Sequence, residues 1–248
     1  MLRLFSPRWI LVHLGVALLV VTMVNLGFWQ LHRLDAKKAF NARVTAQTTQ
    51  PVLDYSERVP TPTADEWSRV TLTGRYDTSK TITIINRSQD GTAGYDIAIP
   101  FINNDGTVIL VNRGFVPLAV SLPATTREKI SVVGYLRATQ RRGAVGAIDS
   151  TDTATTEFHR FDLPLIAKAT DKNLLTTNYL QLIEESPSSK TEWPSMVSMP
   201  VLDEGSHLSY AFQWFFFSAT ALTAWVLVIR RKLREPLSDP AAPMQTSA

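Results

Sequence analysis

Two long uncharged segments and the alternating stretch between them predict a membrane protein with two transmembrane helices, N- and C-terminal, flanking a β-dominated α+β extracytoplasmic domain. No Lys, Arg, Asp or Glu interrupts Trp9 to Leu31, and none interrupts Leu208 to Ile229. A helix rising about 1.5 Å per residue needs roughly 20 apolar residues to cross hydrocarbon, and each segment supplies them. Overall composition, 45% hydrophobic and 19% charged, is ordinary for a globular protein, so the membrane signal lies in clustering alone. The first apolar stretch is long for a secretory signal and no small-x-small cleavage pattern follows promptly, so it reads as a retained anchor.

The flanks set orientation. Arg3 and Arg8 precede the first span, and Arg230, Arg231, Lys232 and Arg234 follow the second, which predicts a multi-pass protein of a prokaryote-like plasma membrane with both termini cytoplasmic. From His32 to His207 acids and bases nearly cancel, so the net +3 is a topological signal, and no nucleic acid is expected as a partner. The chain has no cysteine, which excludes thiol catalysis, thiolate metal sites and disulfides. An outer domain of this length must therefore be held by its own core.

After a cytoplasmic N-terminus (1–8) and the first span (9–31), residues 32–64 read as a juxtamembrane helix and a connector. The helix continues through Leu34 and Lys37, with Phe40 and Val44 prolonging its apolar stripe, and the Thr-, Gln- and Pro-rich run from Thr45 to Ala64 predicts extended chain. The β-rich domain, 65–185, opens with alternation through Val70, Leu72 and Gly74-Arg75-Tyr76, followed by strands at Thr81 to Ile85 and Tyr95 to Ile102. Asn103-Asn104-Asp105-Gly106 is a tight-turn signal, so Thr107 to Val111 should pair back as a hairpin. Further strands are expected at Ile130 to Leu136 and Tyr179 to Ile183, with a short helix near Leu163 to Ala169 and a mobile loop over Arg141 to Thr156. Residues 186–207, with Pro187, Pro194 and Pro200, read as an extended return to the second span (208–229). The tail, 230–248, is polar and Pro-rich after Glu235 and reads as cytoplasmic and disordered.

Catalytic motifs are missing: there is no G-x-S-x-G, H-E-x-x-H or phosphate-binding glycine loop. Of the four histidines, His159 reads as a solvated surface residue, and no catalytic residue and no enzyme activity are expected. The membrane edges are richer. His207, Tyr210, Gln213 or Trp214, and Phe217 recur at helical spacing, as do Asn25, Trp29 and His32 with Gln30 alongside. Antiparallel helices would set Asn25 and Gln213 at one depth and permit a polar and aromatic cluster between them. His207 then reads either as an interfacial cap or as a ligand, since a neutral imidazole beside flat aromatics can hold haem iron. His13 reads as packing or snorkelling within the first span.

Several motifs resemble one family. Leu26-Gly27-Phe28-Trp29-Gln30-Leu31-His32-Arg33-Leu34, Gly74-Arg75-Tyr76-Asp77, Gly94-Tyr95, Val111-Asn112-Arg113-Gly114-Phe115-Val116-Pro117 and His207-Leu208-Ser209-Tyr210-Ala211 with Gln213-Trp214-Phe215 are similar to the surfeit locus protein 1 family of cytochrome c oxidase assembly factors. Phe115 departs from the family's usual Trp, and nothing between Leu118 and Asn178 carries a family motif. The resemblance implies assistance in inserting haem a into subunit I of an oxidase or stabilising that complex, with oxidase subunits and the lipid bilayer as partners and haem a held transiently if at all. It implies His207 as the residue linked to haem iron, with Tyr210, Trp214, Trp29, Gln30, Arg33 and Arg113 as candidate haem contacts. Arg113 could equally pair with a carboxylate, and Trp29, Gln30 and Arg33 could simply anchor the helix. The alternatives are a structural subunit of a respiratory complex without haem contact and a membrane-anchored hydrolase, which a pocket joining His159 to a carboxylate and a hydroxyl would favour.

Overall fold

The computed structural model describes residues 2–57, 60–122, 124–170, 173–188 and 191–234. The tail read as disordered lies, beyond Arg234, outside the described residues. Among them the chain forms helices α1 (Pro7–Thr48), α2 (Leu163–Thr170) and α3 (His207–Arg234). Its strands are β1 (Leu53–Asp54), β2 (Arg69–Tyr76), β3 (Ile82–Gln89), β4 (Thr92–Asn103), β5 (Val108–Pro117), β6 (Ile130–Ala138), β7 (Glu157–Phe158) and β8 (Asn178–Ser186). Contacts divide the chain into two compact units, Met1–Asn41 with Leu202–Ala248, and Ala42–Val201.

The first unit is an antiparallel helix pair. On α1 the shielded positions His13, Val16, Val20, Met23, Gly27 and Gln30 recur every three or four residues, and His207, Ala211, Trp214, Ser218, Ala221 and Trp225 do so on α3. That spacing of 3.5 on average is the seam of two helices packed along their length. Gly27 is required where α1 meets Phe215 of α3: a Cβ there would stand 2.6 Å from the Phe215 ring. The remaining faces are apolar and open, with Leu14 61%, Leu18 69% and Phe216 67% exposed. Both helices are long and apolar enough to cross a membrane, with mean hydropathy of 2.2 and 1.6 in their most apolar windows, and only 6% of either window is buried. Helix α1 also runs on unbroken to Thr48, further than the connector expected from Thr45 onward.

The second unit is built on a closed barrel. Strands β2, β6, β8, β5 and β4 follow one another around it, and β4 returns to β2 through Gly74↔Asn103, Arg75↔Ile102 and Tyr76↔Phe101. Only β5–β8 is parallel within this ring. Gly74 permits closure, since a Cβ there would lie 2.0 Å from the Ile102 carbonyl oxygen. Strand β3 pairs along β4 outside the ring and carries β7, while β1 lies on β2.

Burial explains the sequence pattern. Strands β2 and β6 alternate because one face fills the barrel, with Val70, Leu72, Ile130 and Val132 inside. Strands β4 and β5 are buried on both faces: Ile97, Ile99, Phe101, Ile109 and Val111 point into the barrel, and Ala98 and Leu110 join a second core against β3 and α2. In that second core Leu163 and Ile166 are completely buried, and Phe161 stacks on Tyr179 at 4.0 Å. Fully burying one such aliphatic or aromatic side chain contributes about 1.5–3 kcal/mol. The expected hairpin forms across Gly106, and the expected strands and short helix appear at their places. Strand β5 is longer than expected because Asn112-Arg113-Gly114 lies within it as a bulge, where Ala98 faces Asn112, Ile97 faces Gly114, and Arg113 is the extra residue. Gly114 takes φ +131 there, with the backbone of Ser195 laid against it.

Candidate ligand site on the helix pair

His207 is the first residue of α3, and its Nδ1 lies 2.9 Å from the Gln30 side-chain oxygen on α1. A carboxamide oxygen only accepts, so Nδ1 must carry the proton and donate. In a neutral ring with that contact the lone pair is on Nε2, which has no hydrogen bond among the described residues. Two ties close the same end of the pair: Asn41 Nδ2 donates to the Asp203 carbonyl at 2.9 Å, and Lys38 reaches Glu204 at 3.6 Å. An imidazole fixed through one nitrogen with the other free is the usual arrangement of a metal-ligating histidine.

The other candidates scatter around this pair. Tyr210 is 48% exposed and Trp29 53% exposed, both turned away from the seam, and Arg33 is also exposed. Trp214 is half-buried on the seam, edge-on to Phe217 at 6.3 Å. Asn25 and Gln213, whose matching depth permitted a cluster between the helices, are both exposed, and Asn25 donates to the Val21 carbonyl of its own helix. Asn25, Trp29 and His32 do share a face, and with Val21, Thr22, Leu26 and Phe28 they line an open groove of about 560 Å³, but it is not the face packed on α3.

Arg113 belongs to the barrel unit and is engaged there. Its side chain is 4% exposed, with Nη2 3.1 Å from Glu185 Oε1, Nη1 donating to Thr125 Oγ1 at 2.7 Å, and the guanidinium 5.2 Å from the Tyr76 ring centre. Burial pushes the Tyr76 phenol above its ordinary range, and its hydroxyl donates to Glu185. Arg113 thus pairs with a protein carboxylate in this structure. Nearby on the outer face Asp96 is also raised by burial, opposed by Arg87 at 3.5 Å.

Two other histidines are engaged by neighbouring groups. His13 has both ring nitrogens engaged, Nε2 with the Leu4 carbonyl at 3.1 Å and Nδ1 accepting from Trp225 Nε1 at 3.2 Å. His159 is partly shielded and not freely solvated: its Nδ1 lies 2.9 Å from Asp149, which is 1% exposed at the side chain and also bonds Arg160. Asp149 thereby ties the loop expected to be mobile. Its carboxylate orients His159, yet the ring makes no bond to a hydroxyl among the described residues, so the hydrolase reading has two of its three members. No group of three or more His, Asp or Glu side chains suited to a metal ion occurs among the described residues.

Comparison with known proteins assigns the chain. A model of the SURF1 family matches residues 17–219, covering α1 from residue 17 onward, the whole barrel unit and about half of α3. The chain belongs to the SURF1 family. An uncharacterised SURF1-like protein of Mycobacterium tuberculosis is 26% identical over 232 residues, covering 88% of this chain and 82% of its own. A SURF1-like protein of Rickettsia bellii is 25% identical over 236 residues (91% and 92%), and surfeit locus protein 1 of Takifugu rubripes is 25% identical over 244 residues (88% and 96%). Within this SURF1-family chain the resembling motifs fall at contacts: Gly27 and Gln30 on the helix seam, Gly74 at barrel closure, and Arg113-Gly114 in the bulge.

Proposed function

We propose that this SURF1-family protein assists assembly of a haem a-containing cytochrome c oxidase, holding haem a at His207 as it passes to subunit I. Family membership supports the assembly role. The single observation that carries the haem assignment is the free Nε2 of an imidazole whose other nitrogen is fixed by Gln30. A porphyrin already supplies four nitrogens to its iron, so one protein histidine suffices without a larger ligand cluster. Bound in this way, haem a is cargo. Trp214 on the seam and the exposed Tyr210 offer flat faces to its ring, whereas Arg113 is held by Glu185 and is left out of the site. The protein acts by binding, without turnover. It sits in a plasma membrane with α1 and α3 crossing in opposite directions, both termini cytoplasmic and the barrel outside, consistent with Arg8 and the Arg230-Arg231-Lys232-Arg234 run at one end of the pair.

A second reading is favoured by the Gln30 bond itself, which also clasps the two helices. In it the protein is a structural subunit of a respiratory complex and never contacts haem. Deleting the protein and recording a spectrum of the membranes tests the assembly role: the haem a band should fall while other cytochromes persist, and an unchanged spectrum would refute it. A pigment-free purified protein that still associates with the oxidase would favour the structural reading.

A further inference from the structure

We propose that Arg75, Arg127 and Lys129, at the seam where the barrel closes, form a docking groove for an acidic extended segment of a partner protein. The inference stands apart from the haem reading. Two adjoining grooves open at the β2–β4 junction. One, of about 470 Å³, is lined by Arg75, Tyr76, Asp77, Thr78, Ser79, Ile102 and Arg127, and the other, of about 330 Å³, has Arg75, Ile102, Asn104 and Lys129 in its wall. Arg75 and Ile102 form the wall common to both.

The charge in this place is unspent. Among the described residues no carboxylate pairs with Arg75, Arg127 or Lys129, and Arg127 has only the Thr78 hydroxyl, at 2.9 Å. Asp77, in the wall of the larger groove, accepts from the Ser79 amide and hydroxyl at 3.1 and 2.6 Å, and Asp105, beside the smaller one, accepts from the Thr107 amide at 2.8 Å. Three exposed cations with no ion pair among the described residues, against the one groove carboxylate of Asp77, therefore stand in a region whose charges otherwise nearly cancel. Guanidinium groups recognise carboxylates through paired hydrogen bonds, and complementary charge selects the partner.

Shape and lining narrow the occupant. The joined grooves are larger than a single small anion needs, and Ile102 between the cations gives apolar side chains a floor. A protein segment, with carboxylates spaced along an extended backbone and apolar side chains between them, fits this lining better than a single small anion.

The test uses the full chain in detergent micelles and fluorescein-labelled octaglutamate, followed by anisotropy. The peptide should bind in a salt-sensitive manner, R75E/R127E should weaken binding about tenfold or more, K129E less, and the loop variant R141E/R142E should leave it unchanged. Should R75E/R127E lose its circular dichroism, R75Q/R127Q is judged by the same criterion. Failure of the wild type to bind, equal loss in R141E/R142E, or no loss in the groove variants would overturn the proposal. Displacement of the peptide by equimolar pyrophosphate or by phosphatidylglycerol vesicles would overturn it too, by naming a phosphate or a lipid as the ligand.

Discussion

His13 and His207 lie on the same helix pair, toward opposite ends, and differ in what their rings have left over. At the His13 end a tryptophan donates to one nitrogen and a backbone carbonyl accepts from the other, so the imidazole is a completed structural joint. At the His207 end a carboxamide fixes one nitrogen and leaves the second with its lone pair. The same residue type on the same seam is closed in one place and open in the other. The difference teaches that a polar group in a helix pair is read by its unfilled valences and not by its presence. Arg113 in the barrel is a third case, closed like His13 by Glu185, Thr125 and Tyr76.

If the closed centres are structural, damage to them should appear as lost stability with haem occupancy per folded molecule preserved. The largest effect is expected from Arg113→Leu, which strands the Glu185 carboxylate in a site where it is 9% exposed. Removing one partner of a buried pair costs about 3–5 kcal/mol, readable as a shift in the denaturant midpoint of the barrel. A drop in haem per folded molecule instead would reopen the propionate role. Next comes Gln30→Leu, which removes the acceptor that fixes the His207 tautomer. Losing such an outer partner lowers metal affinity about tenfold or more, so haem titration should show weaker binding with helicity retained, and Gln30→Glu, which still accepts, should recover much of it. Unaltered affinity in the leucine variant would remove Gln30 from the site. The smallest effect belongs to Trp225→Phe, which keeps the packing against His13 and deletes its donor. About 1 kcal/mol of helix-pair stability should be lost, measured by thermal melting, and haem binding should not move.

Much of this was legible in the residues. Alternation located β2 and β6, the turn at Asn103–Gly106 located the β4–β5 hairpin, and continuous apolar runs in β4 and β5 reflect burial on both faces. Barrel closure was not, because it depends on Gly74 meeting the Ile102 backbone, a contact no local periodicity reports. The helix seam was missed by one position: Gln30 faces α3 while Trp29, about 100° around the helix, does not. Arg113 found Glu185 across a long sequence separation and Asp149 found His159 across a loop without regular structure, so neither partner could be read from spacing. Gly27 was quoted within a motif, but its steric role emerges only once the Phe215 ring is in place.

The most direct measurement is the haem absorption of the purified full-length protein, scaled to folded protein, for wild type, His207→Ala and His13→Ala. The account predicts that His207→Ala loses most of the pigment, by about tenfold or more, and that His13→Ala keeps it while melting earlier. Equal pigment in wild type and His207→Ala, or loss confined to His13→Ala, would contradict the assignment of the open nitrogen as the haem ligand.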